Sequence, residues 1–476
     1  MRFRFDPVSA MRATLPSSLL CALALAVAGC QQATPPAPAA KPEATAAAAT
    51  PQWRVSDWPL PVAGFAAQPD LIAAPDGGWL LSWIEPGEGG GHALKFARAG
   101  RDGRWDAPRQ IAAGRDWFVN WADTPHIAAS ADGALWAHWL QKSAPATYAY
   151  DVVLTRSGDG GATWSKPLKV NDDGTATEHG FVSLWPDDAD GLGVAWLDGR
   201  HTGAAAGEGG HANHRGAMSL RAARFDAKLA RSLDREIDAM TCDCCQTDAA
   251  PTARGPLLVY RDRDAQEIRD IAATRRDGDA WSAPRHVNAD HWTMPACPVN
   301  GPSVAARGEA ALVAWYTAAG GESKVQVARS DDAGTSFGAP WLLDRGEPVQ
   351  GRVEAALGAD AAWVLWLRED KQGQTLWLAR LAPDLSRELQ RIEVARVPGR
   401  GRGTGFAQLA LGDGVAYVVW TEQVDGAARL RGARVQADAG SAPDARPQPE
   451  ATVSSNGESN IAAGDTTVSP SGTRAP

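Results

Sequence analysis

One aromatic position recurs seven times along this chain. Short apolar segments at 79–83, 135–139, 192–196, 257–260, 311–315, 363–366 and 416–420 close on Trp83, Trp139, Trp196, Tyr260, Trp315, Trp366 and Trp420. The intervals are 56, 57, 64, 55, 51 and 54 residues. A unit of that length is one supersecondary element that cannot bury its apolar faces alone, so the copies must stack on one another. The copied position supplies six of the 20 Trp, which stand against 9 Phe and 5 Tyr.

Each closing aromatic has partners at constant offsets. Twelve or thirteen residues before it stands a polar residue that opens a short entry strand: Asp70, His126, Ser183, Asp248, Ser303, Glu354 and Gln408. Downstream, a third strand is expected to end at Arg98, Arg156, Arg224, Arg275, Arg329, Arg380 and Arg434. A fourth follows in most copies, as at 109–111, 168–170 and 341–343. The second strands are apolar almost throughout, which predicts burial on both faces. Four strands per repeat predict an all-β fold, a β-propeller of four-stranded blades. Seven blades are favoured, with six as the alternative if one copy is degenerate. The last copy stops at its third strand near Gln436, and residues 53–55 are placed to supply the missing fourth, closing the ring without an open edge.

The ends read differently. Arg2, Arg4 and Arg12 precede an apolar run at 19–27, too short for a membrane span, so residues 1–29 read as an export signal. The run Leu25-Ala26-Val27-Ala28-Gly29-Cys30 resembles the bacterial lipoprotein box. That resemblance implies acylation of Cys30 and anchorage to a lipid bilayer, with Gln31 in second place favouring the outer membrane. Residues 30–51 read as an Ala/Pro-rich tether, 52–436 as the propeller, and 437–476 as a disordered tail. With 47 Lys plus Arg against 56 Asp plus Glu, and no basic run, nucleic acid is not an expected partner.

Between third and fourth strands lie Ser157-Gly158-Asp159-Gly160-Gly161-Ala162-Thr163-Trp164 and Ser330-Asp331-Asp332-Ala333-Gly334-Thr335-Ser336-Phe337. Both follow Ser-x-Asp-x-Gly-x-x-aromatic, and partial copies stand at 277–281 and 102–105. The pattern resembles the Asp-box (BNR repeat) of sialidases and their relatives. Its residues Ser157, Asp159, Gly161, Trp164, Ser330, Asp332, Gly334 and Phe337 are structural: side chains bond turn amides, Gly takes positive φ, and the aromatic packs beneath.

The register also sorts residues by face. The seven entry positions are predicted to ring the channel mouth, on the face opposite the Asp-box turns. Polar lining alone would satisfy a wet channel. Over them lie loops carrying Asp123, Tyr148, Tyr150, His179, Arg200, His201, His211, His214, Arg261, Arg263, His291, Tyr316, Arg352 and Arg368.

The sialidase resemblance implies an extracellular or periplasmic glycan as partner and a glycoside hydrolase as the enzyme, if the chain is one. It implies an Arg clamp on a substrate carboxylate, a Tyr nucleophile with a Glu, and an Asp acid. By position, Asp248 stands near the Glu and Arg261 near one Arg. Arg352 offers a second Arg, Asp123 the acid and Tyr316 a nucleophile, beside Tyr148 and Tyr150. His126, Arg200, Arg263 and Glu354 are the substrate-binding candidates. The family's Arg-Ile-Pro near the propeller start is missing. A non-catalytic binding module is the second reading.

A third reading rests on cysteines. Cys242, Cys244, Cys245 and Cys297 enter neighbouring blades, and an exported protein ordinarily oxidises them, most easily Cys244 or Cys245 with Cys297. Alternatively, with His291 and Met294 nearby, they suit copper or zinc. His211-x-x-His214 with His201 is a weaker metal candidate. No other cofactor is implied.

Overall fold

The computed structural model describes residues 52–203, 216–397, 399–412 and 414–438. The export signal, Cys30, the tether, His211, His214 and nearly all of the tail lie outside the described residues. No helix among the described residues is long and apolar enough to cross a membrane.

Seven antiparallel sheets follow one another along the chain, six of four strands and the fourth of five, so the fold is the expected seven-bladed propeller. Blade 1 begins at Ala67–Ala73, blade 2 at Ile127–Ala129, blade 3 at His179–Asp187, and blade 4 at Asp248–Thr252. Blades 5, 6 and 7 begin at Ser303–Arg307, Val349–Leu357 and Gln408–Gly412. In blade 4 the outer edge is split, with Ala280–Trp281 and Arg285–His286 both pairing with Ile271–Asp277. Trp53–Asp57 is the fourth strand of blade 7, pairing with Ala427–Ala437 through Trp53↔Ala437, Val55↔Val435 and Asp57↔Ala433.

The cores lie between blades, because second strands bury both faces. Gly191–Asp198 is buried at every position. Trp83, Trp196, Trp315 and Trp366 are among the largest fully buried side chains. Three of the copied Trp also place their indole N–H on a carboxylate: Trp196 on Asp198, Trp315 on Asp290 and Trp366 on Asp344, each at 2.7 Å. An indole N–H with such an acceptor keeps a hydrogen bond when buried, whereas Trp83 and Trp139 bury theirs without a partner.

Two boundary expectations need correction. The constant-offset Arg residues do not end their strands: they are penultimate in the third strands of blades 1, 2, 3, 5 and 6, as Arg98 is in His92–Ala99 and Arg156 in Tyr150–Ser157, and stand two and three places before the end in blades 4 and 7. The polar entry residue opens the strand only in blades 4, 5 and 7. In blade 2 it precedes it, and in blades 1, 3 and 6 the strand starts earlier and passes through a bulge. In each bulge the residue two places before the entry position is left-handed: Gln68 (φ 57), Phe181 (φ 52) and Arg352 (φ 50). The bulge turns the entry residue toward the axis while the chain continues pairing upstream.

Both full Asp-boxes form as expected. Ser157 Oγ donates to Asp159 Oδ1 and accepts from Gly161 N, each at 2.7 Å, and Asp159 accepts from Thr163 N at 2.9 Å. Ser330, Asp332, Gly334 and Ser336 repeat these bonds within 0.1 Å. A Cβ on Gly161 (φ 87) would lie 2.2 Å from the Phe96 ring, and one on Gly334 (φ 81) 2.4 Å from Leu257. The turns therefore dock on the preceding blade and tie neighbours together.

Candidate functional site at the channel mouth

Entry residues from six blades, Asp70, His126, Ser183, Asp248, Glu354 and Gln408, line a central cavity of about 220 Å³. The seventh, Ser303, sits behind Asp248, donating to its Oδ2 at 3.1 Å.

Much of this column is a belt joining blades. Asp70 Oδ2 accepts from Ile127 N at 2.7 Å, Asp248 Oδ2 from Val304 N at 2.7 Å, and Ser303 Oγ from Ala355 N at 3.0 Å. In each case the donor follows the next blade's entry position by one residue. A second tier lies three residues upstream. Asp123 Oδ1 accepts from Phe181 N at 2.7 Å, and Asn300 Oδ1 from Arg352 N at 2.8 Å. Asp123 and Asn300 are equivalent positions of blades 2 and 5, and both donors are the left-handed bulge residues. The preceding glycines are equivalent too: a Cβ on Gly180 would lie 1.9 Å from Asp123 Oδ2, and one on Gly351 2.5 Å from Asn300 Oδ1. The fold is satisfied by an amide at this position, so an acid at Asp123 is more than the belt requires.

That carboxyl has a second engagement. Tyr150 Oη lies 3.0 Å from Asp123 Oδ2 and 2.7 Å from Glu178 Oε1, and all three residues are buried. One hydroxyl carries one proton and cannot donate to two carboxylates at once. One carboxyl of the pair therefore carries a proton of its own. Burial pushes Asp123 up to about 7, against the opposing bond from Phe181 N. Burial also drives Glu178 and the Tyr150 hydroxyl well above their ordinary values.

The remaining cavity groups are set differently. Burial raises Asp248 to about 6, although the amides of Val304 and Ala249 hold it down. Burial and the neighbouring Asp248 and Asp70 push Glu354 well up. His126 Nδ1 lies 3.2 Å from Asp70 Oδ1. Burial works against a charged imidazole, but Asp70, Asp248 and Asp123 together raise the His126 pKa. The cavity thus holds a histidine whose charged form its acidic neighbours favour, beside carboxyls whose pKa values are raised to different degrees. That combination can donate and accept a proton in one reaction.

The arginines are arranged otherwise than an anion clamp would be. No Lys or Arg is among the residues lining the cavity. Arg261, 2% exposed, gives its guanidinium to the carbonyls of Asn300, Arg269 and Tyr316 at 2.6–2.9 Å. Arg352 donates to Thr404 Oγ1 and the carbonyls of Gly401 and Gly405, and burial lowers it to about 10. Arg200 grips Asp198 through two 2.8 Å bonds, and Arg263 pairs with Asp243 and Glu267. Tyr316 Oη bonds Ser323 Oγ at 2.9 Å and does not line the cavity. Of the sequence-derived set, Asp123, His126, Asp248 and Glu354 meet, whereas Arg200, Arg261, Arg263, Arg352 and Tyr316 are engaged elsewhere.

Glu178 was not singled out from sequence, and Tyr150 only as one loop tyrosine among several. Beside the cavity a recess of about 140 Å³ shares Thr124, Phe406 and Gln408 with it. Trp121 and Phe406, in its wall, are nearly parallel with ring centroids 5.9 Å apart. Their loops lack any repeated signature.

The four cysteines are free thiols, so the expected disulfides are not formed. The nearest approach, Cys242 Sγ to Cys245 Sγ at 2.7 Å, is longer than an S–S bond and is not the pair expected. Exposed His291 does not join their sulfur cluster. A second group, Asp173, His179 and Asp198, is closed by Arg200 on Asp198.

The BNR repeat-like domain matches residues 93–375, more than half of the chain. No curated protein matches the sequence. Among solved structures, a protein of unknown function from Dyadobacter fermentans is similar at 15% identity, covering 79% of this chain and 95% of that one, with a TM-score of 0.45. The NanB sialidase from Streptococcus pneumoniae is similar at 10% identity over 80% of this chain and 71% of its own, TM-score 0.43. An α-L-arabinofuranosidase from Fusarium graminearum is similar at 11% identity over 80% and 96%, TM-score 0.43.

Proposed function

The chain belongs to the BNR repeat-like domain family, and on that premise we propose that its channel mouth binds an extracellular glycan and hydrolyses an uncharged glycosidic unit of it. Asp123 is the general acid, and Asp248, ionised at lower pH, serves as the partnering carboxylate. The observation that carries this reading is the equivalence of Asp123 and Asn300. The belt needs only an amide there, yet the position facing the cavity holds an acid that stays half-protonated near neutrality. Glycoside hydrolysis asks for such a pair, one carboxyl to protonate the leaving oxygen and another to assist at the sugar carbon. The uncharged substrate follows from an acidic cavity without Lys or Arg in its lining, which disfavours a sialic acid carboxylate.

The test is turnover of neutral and sialylated fluorogenic glycosides, with binding to a glycan array, for the native protein and Asp123→Asn. Turnover of a neutral glycoside that falls at least a hundredfold in the variant supports the reading. Sialoside turnover indifferent to Asp123 would sink it. Binding without turnover would keep recognition and remove hydrolysis.

We also propose that acylated Cys30 holds the propeller on the outer membrane. The small residues before Cys30 and the apolar run at 19–27 support this. Mass spectrometry finding an unmodified Cys30 in the membrane fraction would refute it.

A further inference from the structure

We propose that Cys242, Cys244 and Cys245 form a three-thiolate site for a monovalent copper ion, with Cys297 at its entrance. This stands independently of the glycan reading. The three thiols leave the last strand of blade 3, Arg231–Thr241, and lead into the first strand of blade 4. They are 0%, 3% and 1% exposed. Their sulfurs all lie within 4.8 Å of one another, with Cys242 Sγ to Cys244 Sγ at 4.0 Å. Sulfurs bound to one metal at about 2.3 Å sit slightly under 4 Å apart, so the Cys242–Cys244 spacing already suits a shared ion and the 2.7 Å Cys242–Cys245 contact must open.

The donor set is soft and homogeneous. Neither a carboxylate nor an imidazole belongs to this group. Thiolates without oxygen or nitrogen donors select monovalent copper or zinc among common metals. The number of sulfurs then chooses between them. A structural zinc site closes tetrahedrally on four ligands. Here the compact set is three, because half-buried Cys297 stands against Cys244 but outside the mutual 4.8 Å reach. Three sulfurs suit a trigonal monovalent ion.

The surroundings favour the anionic complex that results. Arg269, 3% exposed, sends Nη2 to Glu267 at 2.8 Å and turns Nη1 onto Cys242 Sγ at 3.4 Å. A buried guanidinium aimed at sulfur compensates thiolate charge that an apolar core would exclude. On binding, each thiol that still carries its proton releases it as its Cu–S bond forms. The ion enters already monovalent, so no electron is exchanged. Cys297 is the one cysteine of the four that is not fully buried, which places it to receive the ion first.

The test uses the full protein, reduced and anaerobic, titrated with monovalent copper held by a competing chelator and, separately, with zinc alone. X-ray absorption then reports the ligands. The expected result is one copper per chain, three sulfur ligands, and at least a hundredfold loss of affinity in Cys242→Ser/Cys245→Ser that keeps its circular dichroism. Cys297→Ser should bind one copper more slowly, with affinity reduced tenfold or less. Absorption spectra of the native protein decide the matter even where the double variant fails to fold. The proposal is overturned by no copper retained against the chelator, by nitrogen or oxygen ligands, or by uptake unaffected in a folded double variant. It is equally overturned by zinc in four-sulfur coordination displacing copper, or by a Cys242–Cys245 disulfide that resists reduction.

Discussion

The hydroxyl of Tyr150 stands 3.0 Å from Oδ2 of Asp123, and it cannot serve Asp123 as a donor while it donates to Glu178 at 2.7 Å. The two contacts need one proton more than the hydroxyl holds, and burial, which raises both Asp123 and Glu178, keeps it in the site. Burial turns a structural belt position into a group that titrates near neutrality.

Asp123→Asn should therefore raise stability at alkaline pH while abolishing turnover. The folded pKa of Asp123, about 7, lies above its ordinary 3.8, so the folded state keeps a proton the unfolded chain has lost. Its contribution is fully present below about pH 4 and is lost as pH rises through about 7. Asparagine keeps the bond to Phe181 N, as Asn300 does for Arg352 N. Denaturant unfolding at pH 4 and pH 8 should show a gain for the variant at pH 8 on the order of a few kcal/mol, and little at pH 4.

Gly180→Ala should displace the Asp123 carboxyl, since the new Cβ would lie 1.9 Å from Oδ2. We expect turnover to fall at least tenfold. Gly351→Ala, at the equivalent place beside Asn300 and with φ 73, should cost about 1–3 kcal/mol of stability through backbone strain. It should leave the acid in place. Equal loss of kcat from both variants would contradict this division.

Arg261→Ala should act on folding. Its guanidinium serves three buried carbonyls, from Asn300, Arg269 and Tyr316, and stacks on Trp292 with 4.9 Å to the ring centroid. Removing it should lower stability by about 2–4 kcal/mol, because carbonyls left without donors lose more than the bonds themselves. A rise in KM for an anionic substrate at unchanged melting temperature would instead indicate a substrate clamp.

The Asp-boxes should weaken in acid. The side chain and amide bonds of Ser336, with Ser330, outweigh the opposing burial and hold Asp332 at about 2, and those of Thr163 hold Asp159 well below the usual carboxylate range. A lowered folded pKa adds stability above about 4 that is lost as pH falls through the folded value. Asp159→Asn/Asp332→Asn should melt lower than the native protein at pH 6, and the difference should shrink toward pH 2. Differential scanning calorimetry across that range is the check.

Ring, blade count, closing strand, turn chemistry and the polar column were legible in the sequence. Each is written several times at nearly constant spacing, and backbone geometry repeats with it. That periodicity also carried Asp123 and Asp248 to the channel. The same register places Asn300 three residues before Ser303, as Asp123 stands before His126, but only the bulges at Phe181 and Arg352 show that both accept the same bond.

What the residue order determined alone was therefore local and periodic: which segments become strands, how they stack, and which positions look toward the axis. Partner choice belonged to the tertiary structure. Arg261 finds a carbonyl 55 residues away at Tyr316, and Tyr150 reaches Glu178 28 residues on, through loops of neighbouring blades. A guanidinium bonds whichever acceptors surround it, and a carboxyl takes its pKa from whatever water it has lost. Both depend on packing between blades, which no single repeat encodes.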